Sequence, residues 1–320
     1  MSRRILVLGA DGFIGRRVVA QLAASGWAIP VAAGRRRLKG SVPSIDRLCF
    51  DATDEKALRA ALVGVDGVVN CVGGSPATIV SSARCLFRAA IPTGPVVVQL
   101  SSMAVYGAAQ GEVDEQAPLR GDCGAYGVAK VEAERLASDY HRAVILRPGC
   151  VYGPRGAQWS ERLARLLRTH RIGDLGAGGD GFANMVHVED VAAAALAALR
   201  RPDGYGQAYN LALPNPPTWN DFFLQFARAL GAVPIARLSE RRLALETRLL
   251  APPLKVAEIL AGRLGLGGFP PPAIPPSLAR LWRQEIRLLV GKAENHLDMR
   301  WTSLDRGLAE TARSLQTHAG

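Results

Sequence analysis

The 320-residue chain has few cysteines, few lysines and no long apolar run, and each shortage removes a class of protein. Its five cysteines, at 49, 71, 85, 123 and 150, include no CxxC pair. That spacing argues against a disulfide framework and a zinc site, and the expectation is reduced thiols in a cytoplasmic protein with no metal. Aromatic residues make up only 6%, and no aromatic RNA-binding signature occurs. The longest uncharged stretch, 89–111, contains two prolines, two serines and glutamines, so it reads as loop, strand and loop rather than as a membrane span. The opening residues MSRRILVLGADGFIG put Gly, Asp and Gly where a signal peptide needs unbroken apolar residues. Between Gly12 and Ile45 there is no Asp or Glu at all.

What is present is an ordinary globular composition, 48% hydrophobic and 21% charged, with 34 Arg against 5 Lys and a net charge of +11. A basic total raises nucleic acid, anionic cofactors or an acidic membrane surface as partners. The excess is local. Residues 1–150 carry +5, including the cluster Arg35, Arg36, Arg37 and Lys39, and residues 237–292 carry +6. No Lys-rich tail accompanies them, so no nucleic-acid partner is expected.

The first half alternates short β-rich runs with helical patterns. Strands are expected at 5–8, 29–33, 47–50, 67–71, 96–100 and 143–146, and helices at about 12–25, 54–62 and 126–140. Near-continuous apolar strands alternating with helices indicate a doubly wound parallel sheet, buried on both faces. The alternation breaks down from about Arg155. Helices are expected at 160–170, 188–200 and 218–230, followed by a Pro-punctuated stretch with short Leu/Arg helices.

After the first strand stands Gly9-Ala10-Asp11-Gly12-Phe13-Ile14-Gly15, a GxxGxxG loop. Glycine permits unusual backbone angles and close approach to a pyrophosphate, and the helix N-terminus adds free N–H groups. An NAD site usually carries an acidic residue about 20 residues past this loop. Here Arg35, Arg36 and Arg37 occupy that region, and guanidinium groups would pair with a 2′-phosphate. NADP is therefore favoured over NAD, with Arg35 first and Arg36 next. Asp51 is a candidate for the adenine amino group, or for a helix cap.

Ser101-Ser102 follows the strand 96–100, and Tyr126 and Lys130 are four apart, on one helix face. A neighbouring ammonium favours the phenolate and would lower the Tyr126 pKa towards a range useful for proton transfer. A Ser at the C-terminal end of a parallel strand faces the ligand crevice.

Taken together, the chain resembles the extended short-chain dehydrogenase/reductases over nearly its whole length. The blocks are GADGFIG, VVNCVGG at 68–74, SSMAVYG at 101–107, YGVAK at 126–130, RPGCVYGP at 147–154, HVEDVA at 187–192 and YNLA at 209–212, with WTSLDRGLAETARSL closing the chain. The resemblance implies a Rossmann-type domain core over 1–154 and a smaller C-terminal substrate-binding region over 155–320, with about 187–212 returning to the first domain. It implies Ser102, Tyr126 and Lys130 as the catalytic set and Gly9, Gly12, Phe13, Ile14 and Gly15 around the pyrophosphate. Pro148 and Val151 would border the nicotinamide, and His187 and Asp190 would begin a structural helix. A homodimer is also expected from the resemblance.

Family membership leaves several chemistries open. Met103-Ala104 after Ser102 supplies no acid for dehydration, and no acidic ribose contact of the kind epimerases favour is present. The reading is NADP(H)-dependent hydride transfer between the nicotinamide and a carbonyl or alcohol. The alternatives are a nucleotide-sugar epimerase and a non-catalytic NADP-binding regulator. In 237–292, Leu281, Trp282, Ile286, Leu288, Leu289 and Val290 offer an apolar set beside Arg280, Arg283 and Arg287. Helices covering the substrate region are the favoured explanation. A lid over an apolar substrate, resting on an anionic lipid surface, is the lesser one, and an Arg-lined pocket for a nucleotide-sugar diphosphate would also need basic residues here.

Overall fold

The computed structural model of the protein describes residues 2–36, 45–91, 94–263 and 272–317. In chain order the strands are β1 (Arg3–Leu8), β2 (Ala28–Gly34), β3 (Asp46–Cys49), β4 (Gly67–Asn70), β5 (Val96–Leu100), β6 (Gly111–Val113), β7 (Ala143–Pro148), β8 (Cys150–Tyr152), β9 (Gly173–Asp174), β10 (Met185–His187), β11 (Ala208–Leu211), β12 (Ala236–Arg237) and β13 (Ile286–Leu288). The helices are α1 (Phe13–Ala24), α2 (Glu55–Ala61), α3 (Pro76–Ala90), α4 (Ala125–Ser138), α5 (Arg162–Arg168), α6 (Val188–Leu199), α7 (Trp219–Leu230), α8 (Glu240–Leu245), α9 (Ala251–Arg263), α10 (Pro276–Arg283), α11 (Gly291–Leu297) and α12 (Leu304–Thr317).

Seven strands form one parallel sheet in the order β11-β7-β5-β4-β1-β2-β3. Its central members are buried on both faces, as their runs of Val, Ile and Leu require: every residue of β4 and β5 is inaccessible. The strand order reverses between β1 and β4, which opens a crevice beyond their C-terminal ends. On one face α1 and α6 pack through Val18, Leu22, Val191 and Ala195. On the other, α2, α3 and α4 pack through Leu58, Ile79, Leu86, Ala133 and Ala137. This is a Rossmann-type doubly wound fold.

Local chemistry sets several helix starts. Asp54 caps α2 by accepting from the Ala57 N–H at 3.1 Å, and Thr218 caps α7 by accepting from Asp221 N–H at 3.1 Å. Gly231, at φ +68°, closes α7 in the left-handed conformation. The helix α3 has no counterpart in the sequence expectations. Its first half, Pro76-Ala77-Thr78-Ile79-Val80-Ser81-Ser82, is poor in strong helix formers. Burial of Ile79, Ala83, Leu86 and Phe87 against the sheet outweighs that propensity.

A separate core, drawn from residues 103–113 and 150–312, makes a second lobe, and the scarce aromatics are concentrated in it. Trp219, Phe222, Phe223, Phe226 and Trp282 are fully buried, with Trp282 edge-on to Phe223 at 5.4 Å between centroids. Small parallel pairs, β8 with β10, β9 with β12 and β6 with β13, stitch this lobe together. The segment 281–290 belongs here. Trp282, Ile286, Leu288 and Val290 are interior, Leu281 is half-buried and Leu289 is exposed, so most of this set packs the lobe, in keeping with the favoured reading of covering elements. No described helix is long and apolar enough to cross a membrane.

Candidate active site

From β1 the chain turns through Gly9-Ala10-Asp11-Gly12 into α1. Gly9 has φ +70°, and a β-carbon there would stand 2.8 Å from the Cys71 carbonyl oxygen at the end of β4. Glycine alone takes that conformation and that approach without strain. A β-carbon on Gly15 would strike the Gly9 carbonyl oxygen, so this glycine lets α1 lie close over the loop. Gly12 occupies the N-cap of α1 and has no side chain to satisfy the first N–H groups. The cradle therefore fits a pyrophosphate, which would meet free N–H donors and the positive end of the helix dipole. Phe13 and Ile14 are half-buried, and the Phe13 ring tip lies against Gly156 after β8.

Arg35 and Arg36 are exposed just past β2, while Arg37 and Lys39 lie outside the described residues. Asp51 accepts from the N–H and hydroxyl of Thr53, at 2.9 and 2.8 Å. Those bonds, with a smaller contribution from the Arg35 guanidinium, hold its carboxyl below the usual range. Asp51 thus closes the turn ahead of α2, and the helix cap is Asp54 instead. The stretch without acidic residues receives one in space: Asp11 reaches across to Gly34 and forms an ion pair with Arg47.

The adjacent serines after β5 point in opposite directions, as successive residues of an extended chain do. Ser101 is buried and donates to Glu134. Ser102 accepts from the Ala104 N–H at 3.2 Å, and its hydroxyl lies near enough to the Tyr126 phenol to act on its ionisation. On α4, Tyr126, Lys130 and Glu134 recur every four residues along one face. Lys130 is 4% exposed, and its Nζ donates to the Leu100 carbonyl at 2.7 Å while standing 5.8 Å from the Tyr126 ring centre. Burial pushes the Lys130 ammonium down to about 8, against an upward pull from Cys71 and Glu134. Tyr126 is 46% exposed, and the partial burial of its phenol pushes the pKa up, opposed by the neighbouring Ser102 hydroxyl. The expected lowering of Tyr126 by Lys130 is therefore absent in the protein alone: the ammonium is bonded to Leu100, and desolvation of the phenol dominates.

Behind the serines lies a buried polar network that spacing did not show. Arg147 pairs with Glu134 (Nη2–Oε2 2.7 Å) and donates to the Tyr106 hydroxyl at 2.9 Å. Tyr106 in turn donates to Asn210 at 2.7 Å. The network joins the SSMAVYG, RPGCVYGP and YNLA blocks through Glu134 of α4, one turn beyond YGVAK. Glu134 was accessible as the next i+4 step after Lys130, but nothing local marked Arg147 as its partner.

The remaining expected positions are spread around this centre. Pro148 ends β7 opposite Leu211, and Val151 is half-buried on β8 opposite Val186. His187 is buried edge-on to Tyr152, and burial pushes its imidazole pKa down. Asp190 holds Thr302 through both its N–H and its hydroxyl, tying α6 to the C-terminal segment. The five cysteines are free thiols.

Comparison with known proteins places this geometry. The "3-diazoavenalumate denitrifying reductase" of a Streptomyces species is 31% identical over 258 residues, covering 72% of this chain and 83% of that protein. Protein YeeZ of Escherichia coli K12 is 33% identical over 141 residues, and the match spans about half of that relative, 48%. The crystal structure of UDP-glucuronic acid 4-epimerase from Bacillus cereus, in complex with UDP-glucuronic acid and NAD, superposes with a TM-score of 0.75 at 18% identity, covering 98% of this chain and 99% of that one. The sequence model of the NAD dependent epimerase/dehydratase family matches residues 5–212. The chain belongs to that family.

Proposed function

We propose that the protein is an NADP(H)-dependent oxidoreductase that reduces a carbonyl or oxidises the corresponding alcohol. The observation that carries this reading is the meeting of Ser102, Tyr126 and Lys130 beside the glycine cradle. Gly9, Gly12, Phe13, Ile14 and Gly15 would hold the pyrophosphate, and Pro148 and Val151 would border the nicotinamide, which supplies or accepts hydride when bound. Ser102 holds the substrate oxygen by a hydrogen bond. Tyr126 gives that oxygen a proton in reduction and takes it back in oxidation. Lys130 would hold ribose hydroxyls when the dinucleotide is bound, bringing its positive charge towards the phenol. Ser101, turned towards Glu134, takes no part in the proton transfer.

NADP rather than NAD is supported by Arg35 and Arg36 beyond β2. Arg47 neutralises Asp11, the carboxylate nearest the end of that strand. Removing one charge-assisted contact by Arg35→Ser should weaken NADPH at least about tenfold and leave NADH nearly unchanged. Equal affinity of the unaltered protein for NADH and NADPH, read by calorimetric titration, would sink the NADP assignment.

A second reading is a nucleotide-sugar epimerase, supported by the substrate named for the Bacillus cereus structure. Interconversion of UDP-sugars with no net change in cofactor absorbance would favour it over net carbonyl reduction. In either case Tyr126→Phe should lower kcat by roughly 10²–10⁴ while dinucleotide binding persists. Unchanged turnover in that variant would remove Tyr126 as the acid/base.

A further inference from the structure

The outer face of residues 240–260 is apolar and uncovered. Leu245, Leu249, Leu250, Val256 and Leu260 are 46, 66, 40, 58 and 53% exposed, and Pro252 and Pro253 lie exposed among them. Five of the twelve large exposed hydrophobic residues described in the chain thus fall within sixteen positions. Single exposed leucines are ordinary, but a contiguous set marks a contact surface.

The exposure is enforced from the opposite face. Leu243, Glu246, Thr247 and Ala251 are buried. Glu246 is paired with Arg171 (Nε–Oε2 3.1 Å), which also donates to the Pro272 carbonyl at 2.8 Å. Turning the leucines inward would pull Glu246 out of a buried ion pair, which is strongly unfavourable. The helix is held with its apolar side out.

Charge selects the occupant. Arg241, Arg242 and Arg248 are exposed along this face. Of the acidic side chains described in this segment, Glu246 points inward and Glu240 at the start lies 3.7 Å from Arg283. A second copy of the chain would bring Arg241 and Arg248 against their own counterparts, a repulsive arrangement. A substrate-sized molecule would not cover five side chains spread over sixteen residues. An anionic bilayer matches both features: the leucines and Val256 would enter the acyl boundary while the guanidinium groups meet lipid phosphates.

We propose that the helical run 240–260, from α8 through 246–250 into α9, forms a docking surface for an anionic membrane, on which the protein lies without spanning it. This is independent of the reaction the active site carries out.

The test is sedimentation of the full-length protein with vesicles of phosphatidylcholine alone and of phosphatidylcholine with phosphatidylglycerol. Binding is expected to the anionic vesicles only, and it should fall as salt rises. The double variant Leu249→Glu/Val256→Glu should abolish binding, and Arg241→Gln/Arg242→Gln/Arg248→Gln should weaken it roughly tenfold or more. Unchanged thermal melts would show that both variants fold. Failure of the unaltered protein to bind anionic vesicles would overturn the proposal, as would equal binding by the Leu249→Glu/Val256→Glu variant. A concentration-dependent dimer that this variant dissolves would assign the face to a second copy. A raised KM in the variant, without vesicle binding by the parent, would assign it to the substrate.

Discussion

Lys130 is the group at the centre whose burial brings its titration into an accessible range, near pH 8 rather than 10.5. Two consequences have opposite signs. Between about pH 8 and 10.5 the unfolded chain binds the extra proton, so this residue makes stability rise with pH across that window. Below about 8 the ammonium is present inside the fold and costs desolvation. Its loss as pH rises should weaken dinucleotide binding to the free protein, with a midpoint near 8. Titration of affinity against pH checks this, and Lys130→Met should remove the dependence. A flat profile in the unaltered protein would mean that the ammonium does not hold the ligand. The spacing of Tyr126 and Lys130 was legible, but their ionisation was not. Desolvation depends on what β4 and β5 place around α4, and no local pattern reports that.

At the level of elements, the glycine loop is the feature read most directly. Its residue types and its place between β1 and α1 specify backbone angles and an open helix end, and these are local properties. Gly9→Ala combines a left-handed φ with a 2.8 Å approach to the Cys71 carbonyl. It should lower stability by roughly 1–3 kcal/mol and weaken dinucleotide binding, measured by urea unfolding and by titration. Gly26, at φ +72° with open space around it, is the control: alanine there should leave binding unaltered. The helix α3 shows the reverse case. Its boundaries follow from Ser75, which accepts from Thr78 N–H at 3.2 Å, and from burial against the sheet, while its composition argues weakly for a helix. Tertiary packing overrides propensity where a segment is covered.

On the scale of the whole molecule, the two lobes differ in what holds them. The first rests on aliphatic side chains either side of a sheet, and the second on an aromatic cluster gathered from residues 219–226 and 282. Trp282→Ala would empty a fully buried site that Phe223 meets edge-on, and should cost roughly 3–5 kcal/mol in chemical denaturation. A loss under about 1 kcal/mol would show that the second lobe closes around the gap. The net charge of +11 also divides by place. Arg147 and Arg171 are spent inside on Glu134 and Glu246, whereas Arg35, Arg36, Arg241 and Arg248 remain on the surface, where anions can reach them.

Sequence alone determined the parallel α/β class, the glycine cradle and the grouping of Tyr126 with Lys130. Each is written in short-range spacing, which backbone geometry converts directly into structure. The tertiary structure turned Ser101 to Glu134, brought Asp11 to the end of β2, paired Glu134 with Arg147 and turned five apolar residues of 245–260 outward. Those outcomes depend on groups far apart in the chain and on which surfaces lose water, and both are settled only when the whole molecule packs.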